Sequence, residues 1–118
     1  MIKMITIMDK PHSEESVKEI LEPLVKKWFF SKYKQFSLPQ LYGVKEVHNK
    51  SNILVSAATG SGKTITAFLS ILNELVRLAK EKKLENRVYA VYISPLKALN
   101  ADIHVNLEIP LKEMGELA

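Results

Sequence analysis

The chain has 118 residues, of which 47% are hydrophobic and 25% charged, so it can form one small globular domain with a modest core. Its net charge of +4 weakly favours an anionic partner. The absence of cysteine excludes disulfides, thiolate metal sites and cysteine nucleophiles. The apolar start lacks a signal-peptide cleavage site, and no apolar run reaches membrane-spanning length, so we expect a cytoplasmic protein with no membrane partner.

The first predicted element is an amphipathic helix over residues 13 to about 31. Residues 1–12 before it form an N-terminal arm, compatible with an added strand or a frayed end. Glu14 and Glu15 favour the first helical turn through the helix dipole. Pro23 should kink or split the helix. Apolar residues recur at helical spacing, namely Val17, Ile20, Leu21, Leu24, Val25 and Trp28.

An aromatic stretch with interleaved lysines follows, comprising Phe29, Phe30, Tyr33 and Phe36. Such a pattern can stack bases and hold phosphates. We favour packing of these rings against the domain, with the lysines as a solvated face.

The segment from Ser37 to Gln40 is a capping box that starts a helix running to about His48. Residues 52–56 then form an apolar run typical of a strand covered on both faces, as in a parallel sheet.

A phosphate-binding loop, Ala57 to Thr64, lies between this predicted strand and the next helix, which is the context that its mechanism requires. Gly60 and Gly62 let the backbone curl around an anion, so that the N–H groups of residues 59–64 converge on phosphate oxygens. Lys63 would reach the β- and γ-phosphates, and the Thr64 hydroxyl would ligate Mg²⁺. Ala57 replaces the usual first glycine without removing a backbone donor.

The helix from Gly62 carries a broad apolar stripe, made by Ile65, Phe68, Leu69, Leu72, Leu75, Val76 and Ala79. Residues 87–94 form a second buried-type strand. A further helix starts at Ser94 and Pro95, and Pro110 and Gly115 mark its end. The order of elements predicts an α/β fold, with a right-handed crossover if both strands share one parallel sheet.

Three blocks resemble the superfamily 2 DEAD/DEAH-box helicases, most closely the large helicase-related (Lhr-type) branch. The aromatic segment through Pro39-Gln40 is similar to the region ahead of motif I. Residues 57–64 are similar to motif I, although Ala58 replaces the usual proline. Tyr92 to Asn100, continued by Asp102-Ile103 and Asn106-Leu107, resembles motif Ia. The likeness covers roughly residues 28–111.

This resemblance implies a partial RecA-like P-loop NTPase domain over residues 13–118, with three layers, a parallel sheet and a truncation after motif Ia. Gln40 would select adenine, Phe36 would contact it, and ATP with Mg²⁺ would be held by Thr59, Gly60, Ser61, Gly62, Lys63 and Thr64. The implied catalytic residues are Lys63 and Thr64. Single-stranded DNA or RNA would contact Pro95, Leu96, Lys97, Ala98 and Asn100, partly through helix N–H groups.

The acidic motif that holds Mg²⁺ and orients water in helicases is not present in this sequence. We therefore expect the opening part of a first RecA-like domain, whose partners are nucleic acid and the remainder of the helicase. Alone it would bind nucleotide but not turn it over at helicase rates. Two alternatives stay open: a non-catalytic nucleic-acid-binding P-loop module, and a small P-loop kinase.

Overall fold

The computed structural model describes residues 5–58, 62–93, 101 and 103–118. The described residues form five α-helices: α1 (Glu14–Ile20), α2 (Pro23–Lys32), α3 (Leu38–His48), α4 (Lys63–Lys80) and α5 (Ile109–Leu117). A π-helical segment, His104–Glu108, precedes α5. Helix α4 packs against α3 and α2, while α1 packs on α3 and α5 packs on α2. None of the helices in the described ranges is long and apolar enough to cross a membrane.

The predicted break at Pro23 is confirmed. Helix α1 begins after Ser13, whose hydroxyl accepts a hydrogen bond of 3.2 Å from the Ser16 N–H, and Pro23 opens α2. Proline suits this position because the first helical N–H has no intrahelical partner in any case. The buried apolar residues of both helices, among them Val17 and Val25, face one core.

The aromatic stretch packs as predicted rather than forming an open stacking surface. The Phe29 ring is fully buried and lies 4.8 Å from the stacked Phe36 ring. Phe30 meets both rings edge-on, at centroid distances of 5.1 Å from Phe29 and 5.2 Å from Phe36. Tyr33, at 44% exposure, is the outermost member of the stretch. These contacts fix the chain that leads from α2 into α3.

Helix α4 is confirmed, but its core face differs from the predicted stripe. Ala79 is exposed, and Leu78 is buried in its place. Three polar residues, Thr66, Ser70 and Asn73, are also buried on this helix. The reason is that α4 is covered by several neighbours at once, whereas a single apolar stripe predicts one contact face.

The two predicted strands are not formed in the described residues, so the parallel sheet is not confirmed. Residues 52–58 and 87–93 follow non-helical paths without sheet pairing. The Val55 side chain approaches α3 at Gly43, and Tyr92 packs on Phe68 with ring centroids 5.0 Å apart. Their neighbours Leu54, Val91 and Ile93 are between 77% and 89% exposed. A strand needs a paired neighbour for its N–H and C=O groups, and the described chain does not place one beside either segment.

The predicted helix end at Pro110 is also wrong. Pro110 is buried near the start of α5, and the helix continues through Gly115 to Leu117. In the preceding π-helical segment, the Ile109 N–H donates to the His104 carbonyl, one residue farther back than in an α-helix. This wider turn accommodates a proline, which lacks an N–H and would crowd the carbonyl four residues earlier.

Candidate nucleotide-binding site

The candidate site is built around the turn at Gly62, where the predicted phosphate loop meets α4. Gly62 has φ +91°, a left-handed conformation that a residue with a Cβ adopts only under strain. Lys63 and Thr64 occupy the first turn of the 18-residue helix, and both are exposed. The positive end of the helix dipole and two exposed polar side chains therefore face solvent together, an arrangement suited to a polyphosphate. Residues 59–61 of the loop lie outside the described residues.

The Thr66 hydroxyl fixes the carbonyl group of Gly62 in this turn. Its Oγ1 donates a hydrogen bond of 2.9 Å to the Gly62 carbonyl oxygen, one turn back along α4. The Thr66 methyl group packs against Gly43 of α3, so closely that a Cβ at Gly43 would lie 2.5 Å from it. One buried side chain thus links the turn to α3.

Helix α3 lies close to α4 because the side chains between the two helices are small. Besides the Gly43–Thr66 contact, the Ser70 hydroxyl donates 3.0 Å to the Val44 carbonyl. A glycine on one helix and hydroxyl side chains on the other let the two backbones approach more closely than bulky residues would. This approach places the N-terminus of α3 beside that of α4.

The predicted capping box starts α3, and both of its contacts are present. Gln40 Oε1 accepts 2.8 Å from the Ser37 N–H. In the reciprocal contact of the box, the Gln40 backbone N–H faces the Ser37 hydroxyl. Gln40 is only 3% exposed, which indicates that its amide serves the interior of this junction and not only the helix end.

Ser37 and Gln40 both lie against Gly62. A Cβ added at Gly62 would be 2.8 Å from Ser37 Oγ and 2.9 Å from Gln40 Nε2. The structure therefore brings the predicted adenine-selecting glutamine next to the predicted phosphate loop. Glycine is required at position 62 for two independent reasons, the left-handed backbone and the proximity of these two polar atoms.

Phe36 was predicted to contact adenine. Its ring is 4% exposed and packs between Phe29 and Phe30. Its immediate role in this structure is to anchor the residue before Ser37. Contact with adenine stays a prediction.

The predicted nucleic-acid contacts lie outside the described residues, since these do not include Pro95, Leu96, Lys97, Ala98 and Asn100. The chain that follows is described. Ile103 and Leu107 pack partly against the core, as the apolar pattern predicted. His104 is exposed and lies 3.5 Å from Glu108 on the same segment.

Several acidic groups of the described residues are engaged in ion pairs, among them Glu74, Glu81 and Glu113. No group of three or more His, Asp or Glu side chains within the described ranges could hold a metal ion. Mg²⁺ bound with a nucleotide takes most of its ligands from phosphates and water, so one hydroxyl such as that of Thr64 suits it.

Arg77 is fully occupied by neighbouring carboxylates. Its guanidinium pairs with Glu74 at 2.7 Å and with Glu81 at 2.6 Å. The hydrogen bond from Arg77 lowers the pKa of the Glu74 carboxyl below its ordinary value. A guanidinium held in this way is poorly placed to act as the lid arginine of a small kinase.

Sequence reasoning missed the tertiary contacts of two polar side chains, Ser37 at the candidate site and Asn73 at the break between α1 and α2. Ser37 was identified only as a helix cap, and Asn73 was not singled out. Their residue types carry no signal beyond capping propensity, because their roles depend on contacts with residues distant in sequence.

Comparison with known proteins identifies a family and several relatives of this chain. The profile of the DEAD/DEAH box helicase family matches residues 37–117. The chain is 51% identical to the ATP-dependent helicase Lhr-Core of Methanocaldococcus jannaschii, over 97% of this chain and 14% of that protein. It is 49% identical to ATP-dependent helicase Lhr-Core protein 2 of Thermococcus barophilus, over 98% of this chain and 13% of that protein.

A more distant relative is the Lhr helicase/uracil glycosylase of Escherichia coli, 35% identical over 92% of this chain and 7% of that protein. No solved structure matches the chain. The chain spans about one seventh of the length of the Lhr-Core relatives named above. With the family profile covering residues 37–117, the chain belongs to the DEAD/DEAH box helicase family.

Proposed function

We propose that this chain is the ATP-binding part of an ATP-dependent helicase and that it couples nucleotide binding to contact with single-stranded nucleic acid. The observation that carries the proposal is the left-handed turn at Gly62, which opens an 18-residue helix with Lys63 and Thr64 exposed in its first turn. Family membership supports ATP as the nucleotide.

In this proposal, each side chain has a separate task. Lys63 supplies positive charge to the terminal phosphates, and the first N–H groups of α4 bind phosphate oxygens. Thr64 provides a hydroxyl ligand for Mg²⁺, which screens the phosphate charge when bound. Gln40 selects adenine with its amide, and the buried position of that amide at Gly62 keeps base and phosphate recognition adjacent.

The proposal includes a parallel RecA-like sheet. Residues 52–58 and 87–93 both lead towards the predicted nucleotide and nucleic-acid elements, and each carries strongly exposed apolar residues. Pairing with further strands would cover them. The longer relatives are named ATP-dependent helicases. ATP hydrolysis and duplex unwinding are proposed only for a protein that supplies an acidic motif and a second lobe. The cytoplasmic location stays a prediction.

Calorimetric titration of the 118-residue chain with Mg²⁺–ATP tests the proposal. We expect measurable binding that Lys63→Ala weakens about tenfold or more, because a charge-assisted phosphate contact is lost. Lys112→Ala, which removes an exposed lysine from α5, is the matched control and should bind as the parent does. A parent chain that is folded yet binds no Mg²⁺–nucleotide would contradict the proposal.

Binding of single strands distinguishes the remaining alternatives. A helicase part and a non-catalytic nucleic-acid module should both bind single-stranded DNA or RNA with an affinity that falls as salt rises. A small kinase should not. Nucleotide binding without any salt-dependent strand binding would therefore leave the kinase as the better alternative.

A further inference from the structure

Positive charge is concentrated at the end of α4 opposite the Gly62 turn. The 18 residues of this helix rise about 27 Å along its axis, so its far end is remote from Lys63 and Thr64. Residues 80–87, which we call the basic turn, include four basic and two acidic residues. The basic residues are Lys80, Lys82, Lys83 and Arg87.

Ion pairs neutralise only part of the charge in the basic turn. Glu81 pairs with Arg77 at 2.6 Å, and Lys80 lies 3.7 Å from Glu22. Within the described residues, three exposed cations of the turn form no ion pair, namely Lys82, Lys83 and Arg87. Glu85 is the one remaining carboxylate of the turn. Positive charge is therefore left without a partner on this surface.

The backbone that carries these cations is held by hydrogen bonds. The Lys83 N–H donates 2.8 Å to the Leu78 carbonyl, so the chain folds back over the last turn of α4. Farther along, the Tyr89 hydroxyl accepts 2.7 Å from the Glu85 N–H. These contacts tie both ends of the basic turn to neighbouring structure.

Arg87 is the best-positioned cation of the basic turn. Its guanidinium lies over the Tyr89 ring, 4.7 Å from the ring centroid. This contact uses the face of the guanidinium, whereas its N–H donors lie in the plane of the group. Because the ring orients the guanidinium, less side-chain freedom is lost when its donors bind a ligand. A phosphate can accept two parallel hydrogen bonds from such a group.

Stabilisation of the helix dipole explains only part of this arrangement. Cations in or just after the last helical turn interact favourably with the dipole, and Lys82 and Lys83 suit that role. The dipole effect falls off within about one turn, and Arg87 lies beyond the basic turn's reversal, against Tyr89. The position of Arg87 therefore points to a ligand.

We propose that the basic turn, centred on Arg87, is a second surface for the phosphate backbone of nucleic acid, separate from the contacts predicted at residues 95–100. This inference rests on the function proposed above, which supplies the class of partner. Lysine and arginine contacts to phosphates add affinity and carry no sequence information. The basic turn thus strengthens strand binding without sequence preference.

Anisotropy titration of a labelled single-stranded oligothymidine at several salt concentrations tests this surface. Arg87→Gln should weaken binding about three- to tenfold at low salt and reduce the slope of log affinity against log salt by about 0.7, the loss of one phosphate contact. Lys82→Gln combined with Lys83→Gln should reduce the slope by about 1.4. The matched control, Lys27→Gln combined with Lys34→Gln, removes two exposed lysines outside the turn and should leave the slope unchanged.

Nucleotide binding separates this surface from the candidate nucleotide site. All variants of the basic turn should bind Mg²⁺–ATP as the parent does, because the separation of about 27 Å exceeds the Debye length of about 8 Å at physiological salt. A parent that binds Mg²⁺–ATP but no strand would contradict the nucleic-acid part of the proposed function, and this inference with it. A parent that binds the strand no better than its Arg87→Gln variant would contradict this inference alone.

Two further measurements test the assignment of the partner. A lower Tm of the Lys82 and Lys83 variant with unchanged strand affinity would overturn the inference, because the lysines would then serve only the helix dipole. Titration with polyglutamate supplies an anionic chain without phosphates. Arg87→Gln should leave this weak binding within about twofold of the parent, and a loss equal to that for the oligothymidine would overturn the assignment to nucleic acid.

Discussion

At the scale of single residues, Asn73 joins α4 to the break between α1 and α2. Its Oδ1 accepts 2.6 Å from the Glu22 N–H, and its Nδ2 donates 2.9 Å to the Ile20 carbonyl. The side chain is 1% exposed. Pro23 interrupts the helix and leaves these backbone groups without intrahelical partners, and one amide satisfies both.

We predict that Asn73→Ala lowers the free energy of unfolding by about 2–4 kcal/mol, because two backbone groups lose their partner in a buried setting. Urea denaturation followed by circular dichroism measures the change. Asn52→Ala removes an exposed asparagine and should stay within about 0.5 kcal/mol of the parent. Equal stability of the two variants would show that water replaces the amide at the break.

Two glycines in helical contexts should respond to alanine in opposite directions. Gly62→Ala places a Cβ in a left-handed residue against two polar atoms, so we expect a loss of at least about 1–2 kcal/mol of stability. Gly115→Ala adds a methyl group inside α5 with nothing within 4 Å, so we expect a gain of about 0.5–1 kcal/mol. Thermal unfolding of both variants tests the pair. A neutral Gly62→Ala would mean that the turn relaxes to a negative φ.

At the scale of elements, α5 is joined to α2 through Glu113. Its carboxylate lies 2.6 Å from Lys32 Nζ and accepts 3.2 Å from Trp28 Nε1. The Lys32 hydrogen bond, followed by that from Trp28, lowers the pKa of Glu113 below its ordinary value. The bonds therefore favour the ionised carboxylate.

This pKa shift predicts a pH dependence of stability. Because the pKa of Glu113 is lower in the folded than in the unfolded chain, its contribution is complete above the unfolded pKa of about 4.3 and is lost as pH falls through the folded value. The Tm of the parent should fall more steeply with acidification below about pH 5 than that of Glu113→Gln. Glu116→Gln, at an exposed position of the same helix, should follow the parent. If Tm falls equally with pH in the parent and in Glu113→Gln, Glu113 does not contribute to the pH dependence of stability.

At the scale of the whole molecule, apolar side chains of the two unpaired segments are open to solvent. Leu54 and Ile93 are each 89% exposed, and Val88 and Val91 are each 77% exposed. Exposed apolar segments without hydrogen-bonded neighbours are templates for pairing with another chain.

We predict that the isolated chain self-associates as its concentration rises, and that Val91→Lys shifts it towards monomer without changing its helical circular dichroism. Charge on an unpaired segment opposes edge-to-edge pairing. Leu111→Lys, at a 40% exposed position on α5, is the control and should leave the association unchanged. Sedimentation equilibrium provides the measurement, and a parent that stays monomeric at the highest concentrations would contradict the prediction.

The sequence by itself determined the features that depend on neighbouring residues. The helix break at Pro23, the capping segment at Ser37 and the glycine that opens α4 at Lys63 are each governed by backbone conformation and hydrogen bonds within a few residues. The family resemblance has the same local origin, because motif I is a contiguous stretch whose backbone shape its glycines permit.

Only the tertiary structure decided the features that join distant segments. Pro110 lies inside a helical stretch because the turn before it widens, and residues 52–56 form no strand because the described chain supplies no partner for their N–H and C=O groups. The meeting of Ser37, Gln40 and Gly62 depends on the close approach of α3 and α4 at Gly43 and Thr66. Packing between helices determines these contacts, and residue spacing along the chain does not predict them.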